Sequence, residues 1–154
     1  MIRKAKLADI PRIAEIAVFA RRMAYRNIFH DDAVSFGDLQ VISYARALSR
    51  LGELDDYYVC DDGILRGYMR VLQQDDLCEL RELYVDPPLQ GEGVGSSLMG
   101  HFLSISHRRP CELWVLEENQ RARLFYETYG FRHTGLREPE TAGIYKVLYR
   151  KERH

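Results

Sequence analysis

The chain has 154 residues, of which 46% are hydrophobic and 29% are charged, and its formal net charge is −1. This size and composition predict one globular domain spanning residues 1–154 and exclude a disordered chain, while the near-zero charge gives no indication of nucleic acid or an anionic membrane as a partner. No apolar run approaches the roughly 20 residues of a membrane span, and residues 1–6 hold no apolar signal region, so we expect a cytoplasmic location.

The cysteines and histidines give no indication of a metal site. Three cysteines and five histidines are scattered along the chain, without the close pairs that zinc sites show. We therefore expect no metal, and we interpret the cysteines as small core residues: Cys60, Cys78 and Cys111.

The first half of the chain predicts two helices followed by antiparallel strands. A short strand at residues 3–6 precedes a helix that Asp9 caps and that runs to about residue 26. A second helix is expected at about 38–51. Strands at 56–60 and 64–72 form a hairpin around the turn at 61–63. The next strand, 77–85, has apolar side chains on both faces, which indicates a central place in a sheet.

The second half predicts one crossover and a last pair of strands. A helix of about fifteen residues follows the glycine-rich turn at 90–95, and the strand at 111–116 then lies parallel to its predecessor. Asn119 caps a further helix that Gly130 closes. Strands at 131–135 and 144–150 complete a layered α+β fold. Its central sheet is mixed and mostly antiparallel, with about six to seven strands and helices on both faces.

The turn Gln90-Gly91-Glu92-Gly93-Val94-Gly95 carries the functional signal, because backbone N–H groups at the start of a helix favour phosphate. A Walker P-loop requires a lysine directly after its last glycine, but the first lysine after Gly95 is Lys146. A dinucleotide fingerprint requires a glycine where Ser96 stands. The pattern that remains is Gln-x-x-Gly-x-Gly.

This pattern resembles the GNAT superfamily of N-acetyltransferases, and the similarity covers about residues 57–135. Other segments match that family in order and spacing: Leu83-Tyr84-Val85, Pro87, Trp114, Asn119, Phe125-Tyr126 and Gly130-Phe131. The resemblance implies an enzyme that moves an acetyl group from acetyl-CoA to a primary amine by direct transfer in a ternary complex. An acetyltransferase of protein N-termini or lysines, and a non-catalytic acyl-CoA-binding module, remain alternatives. A homodimer is common in the family.

The resemblance also implies how coenzyme A is bound. N–H groups of residues 91–96 hold the pyrophosphate, and the strand backbone before the turn pairs with the pantetheine arm. Glu92 stands at a position that is often basic in the family, so one phosphate contact is expected to be missing. The residues implied in cofactor binding are Leu83, Tyr84, Val85, Gln90, Gly91, Glu92, Gly93, Val94, Gly95, Ser96, Asn119 and Phe125.

Three residues are candidates for proton transfer. Tyr126 matches the family's general acid, and the ordinary pKa of a phenol, about 10, is close enough to that of a thiol, about 8.5, for proton exchange. A protonated amine also needs a base. Glu79 and Glu82 are the candidates. We favour Glu79, because it stands at the family's glutamate position on this strand and alternation places it on the face of Leu83, whereas Glu82 faces the other side unless a bulge intervenes.

The amine pocket is expected along the first helices and the hairpin loops. Residues 51–92 contain eleven acids and three bases. These acids either attract a cationic amine beside aromatic rings or are ordinary turn and strand-end residues. The candidate acceptor-binding residues are Phe19, Arg22, Tyr25 and Phe29.

Overall fold

The structure, a computed structural model, describes residues 1–29, 40–141 and 143–153, and for residues 27 and 29 it describes the backbone alone. In these ranges it contains four α-helices and seven strands. The helices are α1 (Ile10–Phe29), α2 (Val41–Arg50), α3 (Val94–Ile105) and α4 (Gln120–Thr128). The strands are β1 (Ile2–Lys4), β2 (Tyr57–Asp61), β3 (Leu65–Gln73), β4 (Cys78–Val85), β5 (Cys111–Leu116), β6 (Arg132–Thr141) and β7 (Ile144–Lys151). The start of the second predicted helix, residue 38, lies outside the described residues.

The strands form a mixed sheet in the order β1-β2-β3-β4-β5-β7-β6. Strands β1, β2 and β3 pair antiparallel, as do β5 with β7 and β7 with β6, whereas β4 and β5 are parallel. The predicted class, layered α+β with a mixed and mostly antiparallel sheet, is confirmed. The central place of β4 and the crossover to a parallel β5 are confirmed as well.

The chain groups into two compact units. Unit one comprises Met1–Val71 and Glu82–Phe102, and unit two comprises Leu72–Arg81 and Leu103–His154. β4 therefore contributes residues to both. The interpretation of 1–154 as one domain stays a prediction.

The core of unit one lies where α1 and α2 pack on β2 and β3. Ile13, Ala17 and Val59 are fully buried there, and Leu48 of α2 joins the same cluster. The stripe of apolar residues at helical spacing in α1 is the reason this helix packs here. Asp9 does not cap α1 as predicted. Its carboxylate accepts the N–H of Lys6 at 2.8 Å and so closes a 3-10 turn that leads into the helix.

A glycine in β3 permits close approach to the start of α3. A Cβ at Gly67 would lie 2.8 Å from the carbonyl oxygen of Tyr84 and 3.0 Å from Cγ1 of Val94. Any larger residue would push β3 away from both neighbours. Gly67 therefore fixes the spacing of β3 around the glycine-rich turn.

Unit two is built on the long ladder between β5 and β7, which runs from Cys111 opposite Lys151 to Leu116 opposite Lys146. The prediction for β6 was too short, because this strand continues to Thr141. All ten of its residues are exposed, so they carry no alternation of apolar and polar residues that the sequence could reveal. Pro139 is tolerated there because β6 is an edge strand.

No helix in the described ranges combines the length and the apolar character that crossing a membrane requires.

Candidate active site

The glycine-rich turn has the backbone that its sequence predicts. Gly91 and Gly93 have φ angles of 87° and 83°, which glycine adopts without strain. Helix α3 begins at Val94, and the N–H of Ser97 donates to the carbonyl oxygen of Gly93 at 3.0 Å. A Cβ on either glycine would meet no described atom within 4 Å. Gly91 and Gly93 thus place no side chain beside the start of α3, and the first N–H groups of a helix are a favourable environment for a phosphate.

Side chains of unit one anchor the segment before the turn. Arg12 donates to the carboxylate of Asp86 at 2.6 Å and to the carbonyl oxygen of Leu65 at 3.2 Å. The N–H of Asp86 donates to the carbonyl oxygen of Arg66 at 2.9 Å. The exit from β4 is therefore tied to α1 and to β3, which holds the turn in place.

The acid within the turn has a cationic partner. Nη1 of Arg66 lies 3.1 Å from Oε2 of Glu92. The sequence indicated only that Glu92 replaces a positive charge. The structure places Arg66, from β3, beside it.

Glu82 is the centre of a part-buried network in unit one. Its Oε1 accepts hydrogen bonds from Arg21 at 2.5 Å, from the hydroxyl of Tyr44 at 2.6 Å and from the hydroxyl of Tyr68 at 3.0 Å. The Arg21 guanidinium also donates to the hydroxyl of Tyr84 at 3.2 Å and lies 5.0 Å and 5.1 Å from the ring centroids of Tyr44 and Tyr84. One carboxylate thus joins α1, α2, β3 and β4.

The charge states in this network follow from burial. Burial, together with the nearby Glu82, raises the pKa of Tyr68 and of Tyr44, so both phenols stay protonated donors. Burial opposes the charge of Arg21, but the surrounding tyrosines and Glu82 outweigh it and raise its pKa. Three donors therefore converge on one oxygen of Glu82.

Glu79 has a different environment, in unit two. Its Oε1 accepts a hydrogen bond from Nε of Arg81 at 3.2 Å, and its side chain is 22% exposed. It lies in register with Glu112 of β5, whose carboxylate pairs with Arg150 at 2.6 Å. The parallel ladder joins Cys78 and Glu79, the first two residues of β4, to β5. Leu83, Tyr84 and Val85 lie further along β4 and are half-buried.

Helix α4 carries the remaining predicted residues. The side chain of Asn119 accepts the N–H of Ala122 at 3.2 Å, so the predicted cap is confirmed. The ring of Tyr126 meets those of Phe125 and Phe131 edge-on, at centroid distances of 5.5 Å and 6.2 Å.

Arg123 and Glu127 hold α4 to the sheet of unit two. Both bond the hydroxyl of Tyr149 on β7, at 2.8 Å and 2.9 Å. Tyr149 itself is fully buried. This clamp fixes the helix that carries Tyr126.

Replacing Asn119 by alanine is expected to lower the free energy of unfolding by about 1 kcal/mol, because one N–H of the first turn of α4 loses its acceptor. Thermal unfolding without ligand measures this change. Gln120→Ala, at the exposed next position, is the matched control and should change stability by less than about 0.5 kcal/mol. Equal effects of the two substitutions would contradict the cap.

The candidates for amine binding lie on α1. Phe19 is 39% exposed, and the Arg22 guanidinium lies 5.7 Å from the centroid of its ring. Tyr25 is half-buried. The side chain of Phe29 lies outside the described residues.

Four aspartates of the acidic stretch, Asp56, Asp61, Asp62 and Asp86, are engaged in ion pairs. Asp61 pairs with Arg3 at 3.0 Å, Asp86 with Arg12 at 2.6 Å and Asp56 with Arg70 at 3.9 Å. These pairs support the structural interpretation of the local acid excess.

The three cysteines are buried free thiols, as interpreted from the sequence. Burial raises the pKa of Cys78 to about 11 and also raises that of Cys111. Both therefore stay neutral near pH 7 and act as core residues.

Sequence reasoning missed four residues that the structure brings to the candidate site: Arg21, Tyr44, Tyr68 and Arg66. The glutamates that they contact, Glu82 and Glu92, lie between 14 and 61 residues away in the chain. No local motif surrounds them. Tyr68 stands between Arg66 and Arg70 on one face of β3, so the local sequence does not mark it as a functional residue.

A family model described as an acetyltransferase (GNAT) domain matches residues 53–133, which is more than half of the chain. Its match contains both the strand before the glycine-rich turn and the helix that Asn119 caps. The chain therefore belongs to the GNAT acetyltransferase family, and the predicted family is confirmed.

Individual relatives agree with this assignment. An uncharacterized N-acetyltransferase of Archaeoglobus fulgidus is 34% identical over 95 residues, which cover 60% of this chain and 58% of the relative. A peptidyl-lysine N-acetyltransferase of Escherichia coli is 38% identical over 61 residues, or 40% of each protein. The chain thus matches less than two thirds of the length of either relative.

A solved structure shares the whole fold. The PaiA N-acetyltransferase of Thermoplasma acidophilum, crystallised in complex with coenzyme A, superposes with a TM-score of 0.74 at 20% identity. The superposition covers 99% of this chain and 98% of that one.

Proposed function

We propose that this protein is an acetyl-CoA-dependent N-acetyltransferase that moves the acetyl group directly to a primary amine within a ternary complex. The observation that carries the proposal is the backbone of the turn at Gly91 and Gly93, a phosphate cradle at the start of α3 within a GNAT domain. A relative of the same fold that was crystallised with coenzyme A adds support.

The residues of the turn fit the pyrophosphate of coenzyme A. N–H groups of residues 91–96 bind its oxygens, because the first N–H groups of a helix have no acceptor within the helix, and Gly91 and Gly93 place no side chain beside them. Leu83 to Val85 offer backbone to the pantetheine arm. Gln90, Asn119 and Phe125 are the further contacts in this proposal.

Tyr126 and Glu79 carry the two proton transfers. The amine nitrogen forms a bond to the thioester carbonyl carbon, the carbon–sulfur bond breaks, and the hydroxyl of Tyr126 donates a proton to the leaving sulfur. Glu79 accepts the proton that the amine loses, directly or through water. Glu82 is less suited to this role, because protonating its carboxylate would weaken three hydrogen bonds at once.

The acceptor is either a small amine or the amino group of a protein. The similarity to a peptidyl-lysine N-acetyltransferase favours a lysine side chain as a second candidate beside a metabolite. Phe19, Arg22 and Tyr25 on α1 are the proposed acceptor contacts. A non-catalytic acyl-CoA-binding module would bind the cofactor at the same turn but would need neither the acceptor contacts nor the proton-transfer residues.

Calorimetric titration with acetyl-CoA tests cofactor binding. We expect one site per chain with a Kd of about 10 μM, within the usual range of Michaelis constants. AMP, which lacks the pyrophosphate and the pantetheine arm, is the control ligand and should bind far more weakly. An absence of heat and of competition at high micromolar acetyl-CoA would contradict the proposal.

A panel of acceptors then separates the candidate reactions. Release of free thiol is followed with polyamines and amino sugars, with a peptide that has a free N-terminus, and with a peptide that has a blocked N-terminus and one lysine. Turnover of one class above the rate without an acceptor identifies the substrate. Binding of acetyl-CoA without turnover of any acceptor would favour the non-catalytic module.

A further inference from the structure

The glycine-rich turn has an acid where its function calls for positive charge. Residues 86–96 contain Asp86 and Glu92 and no lysine or arginine. Arg12 neutralises Asp86 at 2.6 Å. Glu92 is 53% exposed and lies at the mouth of the proposed phosphate cradle, where its charge would repel a phosphate.

Arg66 is held at this turn by its backbone as well as by its side chain. Its carbonyl oxygen accepts the N–H of Asp86 at 2.9 Å, and the neighbouring Gly67 lets β3 approach the start of α3. The backbone of Arg66 is therefore held in place beside the turn, which keeps its guanidinium near Glu92. Its Nη1 donates to Glu92 at 3.1 Å.

The same guanidinium retains donor capacity. Its Nε is buried and lies 3.2 Å from Oδ2 of Asp62, but no acceptor among the described residues meets hydrogen-bond geometry with it. Arginine also binds phosphate through two parallel N–H donors, which a single contact to Glu92 does not exhaust. Arg66 thus combines a fixed position and a positive charge beside the turn with guanidinium donors beyond the one that meets Glu92.

We infer that Arg66 is a phosphate-binding residue for the acyl-CoA, and that Glu92 competes with the phosphate for its guanidinium. The inference rests on the proposed function and deepens it. The turn itself contains no cation, and Arg66 of β3 supplies the positive charge instead. When a phosphate occupies the cradle, Arg66 turns from Glu92 to the phosphate oxygens. Glu92 then sets the affinity by opposing this exchange.

A double-mutant cycle measured by calorimetry tests the inference. Arg66→Gln should raise the Kd for acetyl-CoA about 10-fold, which is the usual effect of losing a hydrogen bond to a charged group. Glu92→Gln should lower the Kd about 3-fold by removing a half-exposed repulsive charge. The decisive comparison is between the Glu92→Gln variant and the double variant that also carries Arg66→Gln. The double variant should bind acetyl-CoA about 10-fold or more weakly than Glu92→Gln alone.

The alternative is that Arg66 only neutralises Glu92. Then Arg66→Gln would weaken binding in the wild-type protein but would change nothing once Glu92 is glutamine, and this result would overturn the inference. Arg70→Gln is the matched control, because Arg70 lies on the same strand and also contacts an acid, Asp56 at 3.9 Å. It should leave the Kd unchanged. An equal loss with Arg70→Gln would show a general effect of charge and also overturn the inference.

Dephospho-CoA identifies which phosphate Arg66 meets. If the effect of Arg66→Gln persists with this ligand, Arg66 contacts the pyrophosphate, and if it disappears, Arg66 contacts the 3′-phosphate. Thermal unfolding of each variant confirms that it is folded. If the wild-type protein fails to bind acetyl-CoA, the proposed function fails together with this inference, whereas binding that is insensitive to Arg66 overturns the inference alone.

Discussion

Replacing Tyr126 by phenylalanine should lower kcat about 100-fold, the usual contribution of a positioned proton donor, while the Kd for acetyl-CoA stays within about two-fold. The substitution removes only the hydroxyl. The ring keeps its edge-on contacts with Phe125 and Phe131, so α4 retains its packing. What is lost is the proton for the leaving thiolate, which then departs as a free anion.

Steady-state rates with the acceptor found in the panel, together with calorimetry of acetyl-CoA, provide the measurement. Tyr129→Phe is the matched control, because Tyr129 ends the same helix and its ring also packs on Phe125, at 5.1 Å. Its rate should be close to that of the wild type. A Tyr126→Phe variant with unchanged kcat would remove Tyr126 as the acid, and a loss of acetyl-CoA binding would assign it to the cofactor site instead.

Glu82→Gln should lower the free energy of unfolding by about 3 kcal/mol, because it leaves the Arg21 guanidinium part-buried without its counter-ion. The side chains of Arg21 and Glu82 are only 19% and 10% exposed, so water compensates little. Glutamine keeps the shape and one acceptor oxygen but not the charge. For a chain of this size the loss corresponds to a fall in Tm of about 10 °C.

Glu79→Gln is the comparison that separates a structural carboxylate from a proton acceptor. The pair between Glu79 and Arg81 is more exposed, so its loss should cost less than about 1 kcal/mol. The rate should nevertheless fall about 100-fold, because the amine loses its proton acceptor. The reverse pattern, with a stable but inactive Glu82→Gln and an active Glu79→Gln, would assign the base to Glu82.

Much of the fold could be predicted from local sequence. The buried stripe of α1, the hairpin around the turn at residues 61–63 and the cap at Asn119 are all signalled by residues within one or two turns of each other. The predicted length of strand β6 was too short. All ten of its residues are exposed, so its sequence has no alternation of buried and exposed positions from which its end could be predicted. Asp9 was predicted to cap α1, but the chain first forms a 3-10 turn at Leu7–Asp9, and the Asp9 carboxylate reaches back to the N–H of Lys6.

The candidate site also has features that local sequence predicts and contacts that depend on residues far apart in the chain. The glycine-rich turn could be predicted from the sequence alone, because the positive φ of two glycines and the dipole of the following helix are properties of consecutive residues. The partners of the charged groups follow from the packing of distant elements: Glu82 meets Arg21 across 61 residues, and Glu92 meets Arg66 across 26. An ion pair depends on which elements pack together, and a glutamate has the same local sequence whether it binds an arginine or accepts a proton. For this reason the sequence alone indicated that Glu92 leaves a phosphate contact missing, whereas the fold places Arg66 beside it.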